Sequence, residues 1–251
     1  MKSTFVTPTP RTVILVRFTI IVALLAAWEA LALSGLLFRD VVPSLQAIVK
    51  AVFRLLAGPE FYANLGVTVA EIGVALLIGG LSGLAVGILL GANRFLSRAY
   101  ESLVYYLGPT PKIIFFPVMI MWFGVGSGSK IAMGAISCFF PIAISVASGM
   151  RQIDRVLIRV GRSFRASTWQ MVTKIYLPAM REPVVNGARL GLGVAIIGTL
   201  LAQTKLSNRG LGYLIIQAYA TFDMPRMYAL IIVLFVLAVG ANALIGRLAR
   251  R

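Results

Sequence analysis

The chain has no histidine, one cysteine, and only 8 acidic residues against 24 lysines and arginines. Without histidine and with a single thiol there is no donor set for a zinc-type metal site and no disulfide framework. Cys138 stands inside an apolar run and reads as a small packing residue. Charged residues make up 13% of 251 positions, too few to cover the surface of a soluble domain of this length. No phosphate-binding loop is present, and no nucleophile is paired with a base, so an enzyme reading has nothing to stand on.

Apolar sequence fills the space, at 59% of the chain and in long runs. Ile72–Leu90, Ile113–Phe123, Ile131–Ala147 and Tyr228–Ile245 are almost free of charge, while Val13–Phe38 and Val184–Ala202 tolerate a few. A hydrocarbon core about 30 Å thick takes roughly 20 helical residues to cross. These runs predict an all-α integral membrane protein with six spans at about 13–38, 66–91, 103–124, 130–149, 183–203 and 227–247, after a short tail at 1–12. The basic, apolar N-terminus ending at Ala30-Leu31-Ala32 imitates a signal peptide, but Glu29 and the continuing apolar run favour a retained first span.

The net charge of +16 acts as a topology signal. Lys2, Arg11 and Arg17, then Arg94 and Arg98, then the run from Arg151 to Arg181, and finally Arg247, Arg250 and Arg251 all fall on one side of a six-span chain. The other side holds fewer: Arg39, Lys50, Arg54, Lys130, Lys205, Arg209 and Arg226. The positive-inside rule then places both termini in the cytoplasm.

Along the chain, Pro43–Tyr62 carries apolar residues at helical spacing and predicts an amphipathic helix at the outer interface. Gly79, Gly83, Gly87 and Gly91 recur every fourth residue and form one helix face for close packing. Leu107-Gly108-Pro109-Thr110-Pro111 excludes a regular helix in the third span, which predicts a place at the translocation path or a moving interface. Phe139-Phe140-Pro141 marks a further kink site in the fourth. Glu29, Glu71 and Arg189 are intramembrane charges near span ends, where snorkelling or ion pairing competes with substrate contact.

The longest polar segment, 151–182, predicts a basic helix–turn–helix. Ile153, Val156, Leu157, Val160 and Phe164 fall on one face, and Arg151, Arg155, Arg159 and Arg162 on the other. Ser167-Thr168-Trp169-Gln170 fits a capping box that opens a second helix, which Pro178 is expected to end. Binding to anionic headgroups, binding to nucleic acid and docking of a cytoplasmic partner all fit a basic helix pair. The membrane tether and the lack of a base-reading element count against nucleic acid.

In this segment the sequence resembles the membrane subunits, or permeases, of bacterial ATP-binding-cassette importers. Their cytoplasmic motif is Glu-Ala-Ala, three residues, Gly, nine residues, Ile-x-Leu-Pro; the downstream half stands here as Ile175-Tyr176-Leu177-Pro178. Ala166-Ser167-Thr168-Trp169-Gln170, Gly108-Pro109-Thr110-Pro111-Lys112, Met121-Trp122-Phe123-Gly124-Val125-Gly126 and Gly210-Leu211-Gly212-Tyr213-Leu214-Ile215 resemble the subfamily that imports nitrate, sulfonates, taurine and bicarbonate. The upstream half departs: Arg159-Val160-Gly161 replaces Glu-Ala-Ala, and Arg165 replaces the glycine, implying a different turn or local strain.

The resemblance implies a cytoplasmic coupling helix pair between the fourth and fifth spans, with ATPase contacts at Arg159, Gly161, Ser163, Arg165, Ala166, Ser167, Trp169, Gln170, Ile175, Leu177 and Pro178. It implies a second permease copy, a cytoplasmic ATPase holding ATP and magnesium, an extracytoplasmic substrate-binding protein, and a bacterial plasma (inner) membrane setting. No cofactor is expected on this chain. Met121, Phe140, Thr199 and Gln203 are the candidates for the translocation path and its gate. The competing reading is a secondary transporter or channel, which needs an inverted repeat or buried titratable groups for ion coupling.

Overall fold

The computed structural model describes residues 10–35 and 41–248, and every described element is helical. Lys2, Arg39, Arg250, Arg251 and positions 36–38 of the expected first span lie outside the described residues. Helix α1 (Pro10–Leu33) is followed by α2 (Leu45–Ala57). Two polar groups open α2: the Ser44 hydroxyl accepts from the Ala47 N–H at 3.3 Å, and the Glu29 carboxylate of α1 accepts from the Leu45 N–H at 2.8 Å. Glu29 therefore neutralises orphan donors at a helix start, where a negative charge is also favoured by the dipole. Trp28 reinforces the joint, donating to the Pro43 carbonyl at 3.1 Å and meeting Tyr228 edge to face.

The amphipathic segment expected over Pro43–Tyr62 is shorter than its apolar spacing predicts. Gly58 turns extended and Pro59 begins α3 (Pro59–Ala92), because proline is tolerated at the first helical position but not further in. The 34-residue α3 thus starts well before the expected span at 66. Asn93 ends it and caps α4 (Arg94–Leu107), accepting from the N–H groups of Phe95 and Leu96.

The third expected span, 103–124, is not one helix. α4 and the segment Lys112–Phe123 meet at 91°. Pro109 and Pro111 supply no N–H, so α4 stops and a 3₁₀ turn (Lys112–Phe115) leads into α5 (Phe116–Phe123). Gly124, with φ at +73°, lets the chain leave α5 and turn into α6 (Ser127–Gln152). Pro141 sits within α6 without interrupting it.

After α6 come α7 (Arg155–Ser163), α8 (Thr168–Gln170), a π-helical turn (Met171–Tyr176) and α9 (Leu177–Ala179). The bundle is then completed by α10 (Arg181–Lys205), α11 (Leu211–Ala220) and α12 (Met224–Leu248). Among the described residues, five helices are long and apolar enough to cross a membrane, and the bent pair makes up to six.

The core is the seam where α3, α6 and α10 meet. A Cβ on Gly83 would stand 2.8 Å from the Phe139 carbonyl oxygen, and one on Gly87 2.6 Å from Val146 Cβ. Gly79 and Gly91 press equally closely on Ala135 and Cys138, and on Met150. From the α10 side, Gly187 meets Ser145, Gly191 meets Ile142 and Gly198 meets Ser137 and Met133. Where lipid is as apolar as the helices, small residues let backbones approach and dispersion do the work. Cys138, Ile142, Val146 and Ala195 fill the seam, and Ser145 hydroxyl donates to the Pro183 carbonyl at 2.9 Å.

Candidate functional site

The segment between α6 and α10 is a compact helical hairpin. Asp154 starts α7 by accepting from the Val156 N–H at 2.8 Å. At the other end Ala166 N–H reaches the Gly161 carbonyl at 3.0 Å and Arg165 N–H the Arg162 carbonyl at 2.9 Å. That bond pair closes a helix through a residue in the left-handed region, here Arg165 with φ at +49°. An arginine adopts the conformation that glycine takes without steric cost. Ser167 and Gln170 then cap each other reciprocally, side chain to backbone in both directions, and open α8.

Gly161 is buried where α7 crosses the π turn. A Cβ there would run into Ile175 and stand 2.7 Å from the Met171 sulfur. Pro178 does not end the second helix, contrary to expectation; it lies inside α9, and the helical path reaches Met180. The π turn explains this. Leu177 N–H bonds five residues back to the Val172 carbonyl, and the wider turn accommodates a ring that a regular helix would reject. Ile153 and Met180 anchor the hairpin against Val146 and Met150 of α6.

Its outer surface is apolar and basic together. Phe164 is 82% exposed and Trp169 75%, next to exposed Val156, Leu157 and Val160. Arg159, Ser163, Arg165, Ser167 and Gln170 are exposed around them, Ala166, Ile175 and Leu177 are partly covered, and Pro178 is open. A cavity of about 370 Å³ separates the hairpin from the end of α3, lined by Leu89, Ala92, Leu96, Arg162, Ala166 and Met171 among others. Large exposed aromatics rimmed by charge mark a surface built to be covered. Beside the hairpin, Arg151 pairs with Glu101 of α4 at 2.6 Å.

The path candidates fall in different environments. Met121 is 83% exposed at the end of α5, and Phe140 is partly covered on α6. Thr199 and Gln203 are enclosed within the chain's own bundle. The Gln203 amide donates to Glu71 at 2.7 Å and to the Thr68 hydroxyl at 3.1 Å, and accepts from the Gly212 N–H at 2.9 Å. Asn64 accepts from Gly210 N–H at 2.6 Å and Thr68 from Leu211 N–H at 2.8 Å. Three side chains thus hold the start of α11, where Gly210 at φ +101° makes the turn.

Lys130, counted above among the outer-loop charges, is instead fully buried in the first turn of α6. It donates to the Val125 carbonyl. Asn64, Thr68 and Glu71 of α3 act as a group in the contacts with Gln203 and the start of α11. Their spacing of four and three residues puts them on one face of α3, a polar stripe legible in the sequence. Arg189 donates to the Asn242 side chain at 2.9 Å, joining α10 to α12.

Comparison with known proteins identifies the family and the fold. The chain is 29% identical to the taurine transport system permease protein of Escherichia coli (strain K12), over 90% of this chain and 85% of that one. It is 25% identical to the nitrate import permease protein of Synechococcus elongatus, over 89% and 85%. Among solved structures, a chain of the MetNI methionine ABC transporter in inward-facing conformations superposes with a TM-score of 0.64 at 24% identity, covering 82% of this chain and 96% of that one. The family described as the binding-protein-dependent transport system inner membrane component matches residues 83–251, two-thirds of the chain. The chain therefore belongs to the inner membrane components of binding-protein-dependent transport systems.

Proposed function

We propose that this chain is the translocating subunit of an ATP-driven importer for a small anion, of the nitrate, sulfonate, taurine or bicarbonate kind. The observation that carries the reading is the hairpin α7–α9: rigidly joined to α6 and α10, it exposes Phe164 and Trp169 amid arginines. A cytoplasmic ATPase docks on that surface, and its closure on ATP is passed through the hairpin to the bundle. Two copies of the chain form the path, a substrate-binding protein delivers cargo from outside, and Met121 and Phe140 lie along the route. The basic asymmetry supports a cytoplasmic position for the hairpin and both termini. The relatives named for taurine and nitrate support the cargo class.

Reconstitution tests this. The chain is reconstituted in proteoliposomes with a P-loop ATPase that co-purifies with it, a substrate-binding protein is added, and uptake of labelled nitrate and methanesulfonate is followed. Uptake that requires ATP on the hairpin side is the expected result. Uptake by the chain alone, driven by an ion gradient, would establish the secondary-transporter reading instead.

A further inference from the structure

We infer that Lys112 is a mid-membrane anion contact, presenting its ammonium to the passing cargo at the break between α4 and α5; this rests on the importer reading above.

The depth of the group comes first. Lys112 Nζ lies 4.8 Å from the centroid of the Phe140 ring. Phe140 is central in the 26-residue α6, with thirteen residues before it and twelve after. A helix of that length spans a bilayer core, so the ammonium sits near the level of its middle. Ionisable groups at that depth are rare and default to function, and interrupted helices meeting near the midplane are where transporters build their sites. Here the interruption and the cation coincide.

The cation also lacks a counter-charge. Among the described residues the ion pairs are Arg151–Glu101 and Arg226–Glu60, and neither involves Lys112. The Lys112 ammonium instead donates to the carbonyls of Leu107, at 3.1 Å, and Gly108. Those carbonyls end α4, and closing a helix does not require a full charge. Gly108 N–H already returns to the Val104 carbonyl, and the Thr110 hydroxyl to that of Tyr106. Partly exposed, the ammonium can exchange a carbonyl for an oxygen of an anion. As a compact point charge without the fixed fork of arginine, it favours negative charge and is indifferent to the shape of the anion.

The test uses the complete reconstituted transporter, with labelled nitrate and methanesulfonate as probes. Lys112→Gln keeps a donor for the two carbonyls but removes the charge. It should slow uptake of both probes by about tenfold or more, the loss expected when a charge-assisted hydrogen bond of ordinary strength disappears. Lys112→Arg should restore most of the rate. Lys112→Cys should be slow until it reacts with 2-aminoethyl methanethiosulfonate, which returns an ammonium, and remain slow with the anionic sulfonatoethyl reagent. Wild-type uptake left undiminished by Lys112→Gln overturns the role. So does a Lys112→Gln protein whose melting temperature falls with its uptake, both returning together with arginine or aminoethylation, since the lysine then acts as a helix cap. Wild-type uptake of neither probe overturns the anion-importer reading and this role together.

Discussion

Arg165 is the residue whose chemistry departs most from its backbone. It holds φ at +49° because the bonds from Arg165 and Ala166 to Arg162 and Gly161 close α7 around it. A left-handed conformation costs an L-residue other than glycine about 1 kcal/mol or more. Its side chain is exposed, so nothing in the fold depends on it. Arg165→Gly is therefore expected to stabilise the hairpin by about 1 kcal/mol, the gain being reduced by the freer unfolded chain of glycine. Thermal unfolding in detergent checks this, and a lower midpoint would count against strain at the turn. That position 165 departs from a glycine motif is visible in the sequence, and so is the prospect of strain there. Which backbone resolves it is not, because glycine-free turns have several solutions and tertiary packing chooses among them. Gln203 carries the same lesson. Its polarity in an apolar helix is plain from the sequence, but its partners Thr68 and Glu71 lie more than a hundred residues away. No local pattern reveals such a contact.

At the scale of the element, most of the architecture is written in composition. The apolar runs and the four-residue glycine repeat identify spans and a packing face without any long-range information. What they leave out is register between helices. On α3, Gly87 belongs to the repeat, but only the structure shows that a Cβ there would meet Val146 of α6 at 2.6 Å, while one at Gly66, outside the repeat, meets nothing within 4 Å. Gly66→Ala should consequently be neutral or stabilise by up to about 1 kcal/mol through helix propensity. Gly87→Ala should destabilise by about 1–3 kcal/mol, as α3 is levered from α6. Melting temperatures of the two purified variants decide the matter; similar values would place the seam elsewhere. Pro178 illustrates the opposite error. A proline reads as a stop, and only the π turn before it, invisible to periodicity, lets the helix continue.

For the whole molecule, the exposed face of the hairpin poses the question of fit. Arg159 and Arg165 stand where the cytoplasmic motif that this segment resembles has an acid and a glycine, so on the proposed reading the surface that an ATPase would meet is more basic. We expect its partner to have diverged with it and to line its groove with acidic residues. The double variant Arg159→Glu/Arg165→Gly should then capture less of that ATPase from detergent while melting no lower than the parent. Capture at or above the parent level would show that the arginines play no part in recognition. The sequence displays this surface through its helical spacing, because an amphipathic hairpin needs no distant partner to be recognised. It does not display the right-angled break before Lys112. Two prolines announce an irregular segment, but the angle is set by what α4 and α5 pack against.

The length of α3 has a mechanical consequence. At 1.5 Å per residue its 34 residues make a rod about 51 Å long, well beyond a bilayer core of about 30 Å. Near one end, Asn64 and Thr68 grip the first amides of α11. Near the other, Leu89 and Ala92 border the cavity beneath the hairpin. No proline interrupts the stretch between, and the glycine seam acts as its bearing against α6. Pivoting such a rod by about 10° at its centre would carry each tip through about 4 Å, in opposite senses. A displacement no larger than a side chain at one face of the protein would thereby be returned, undiminished and reversed, at the other.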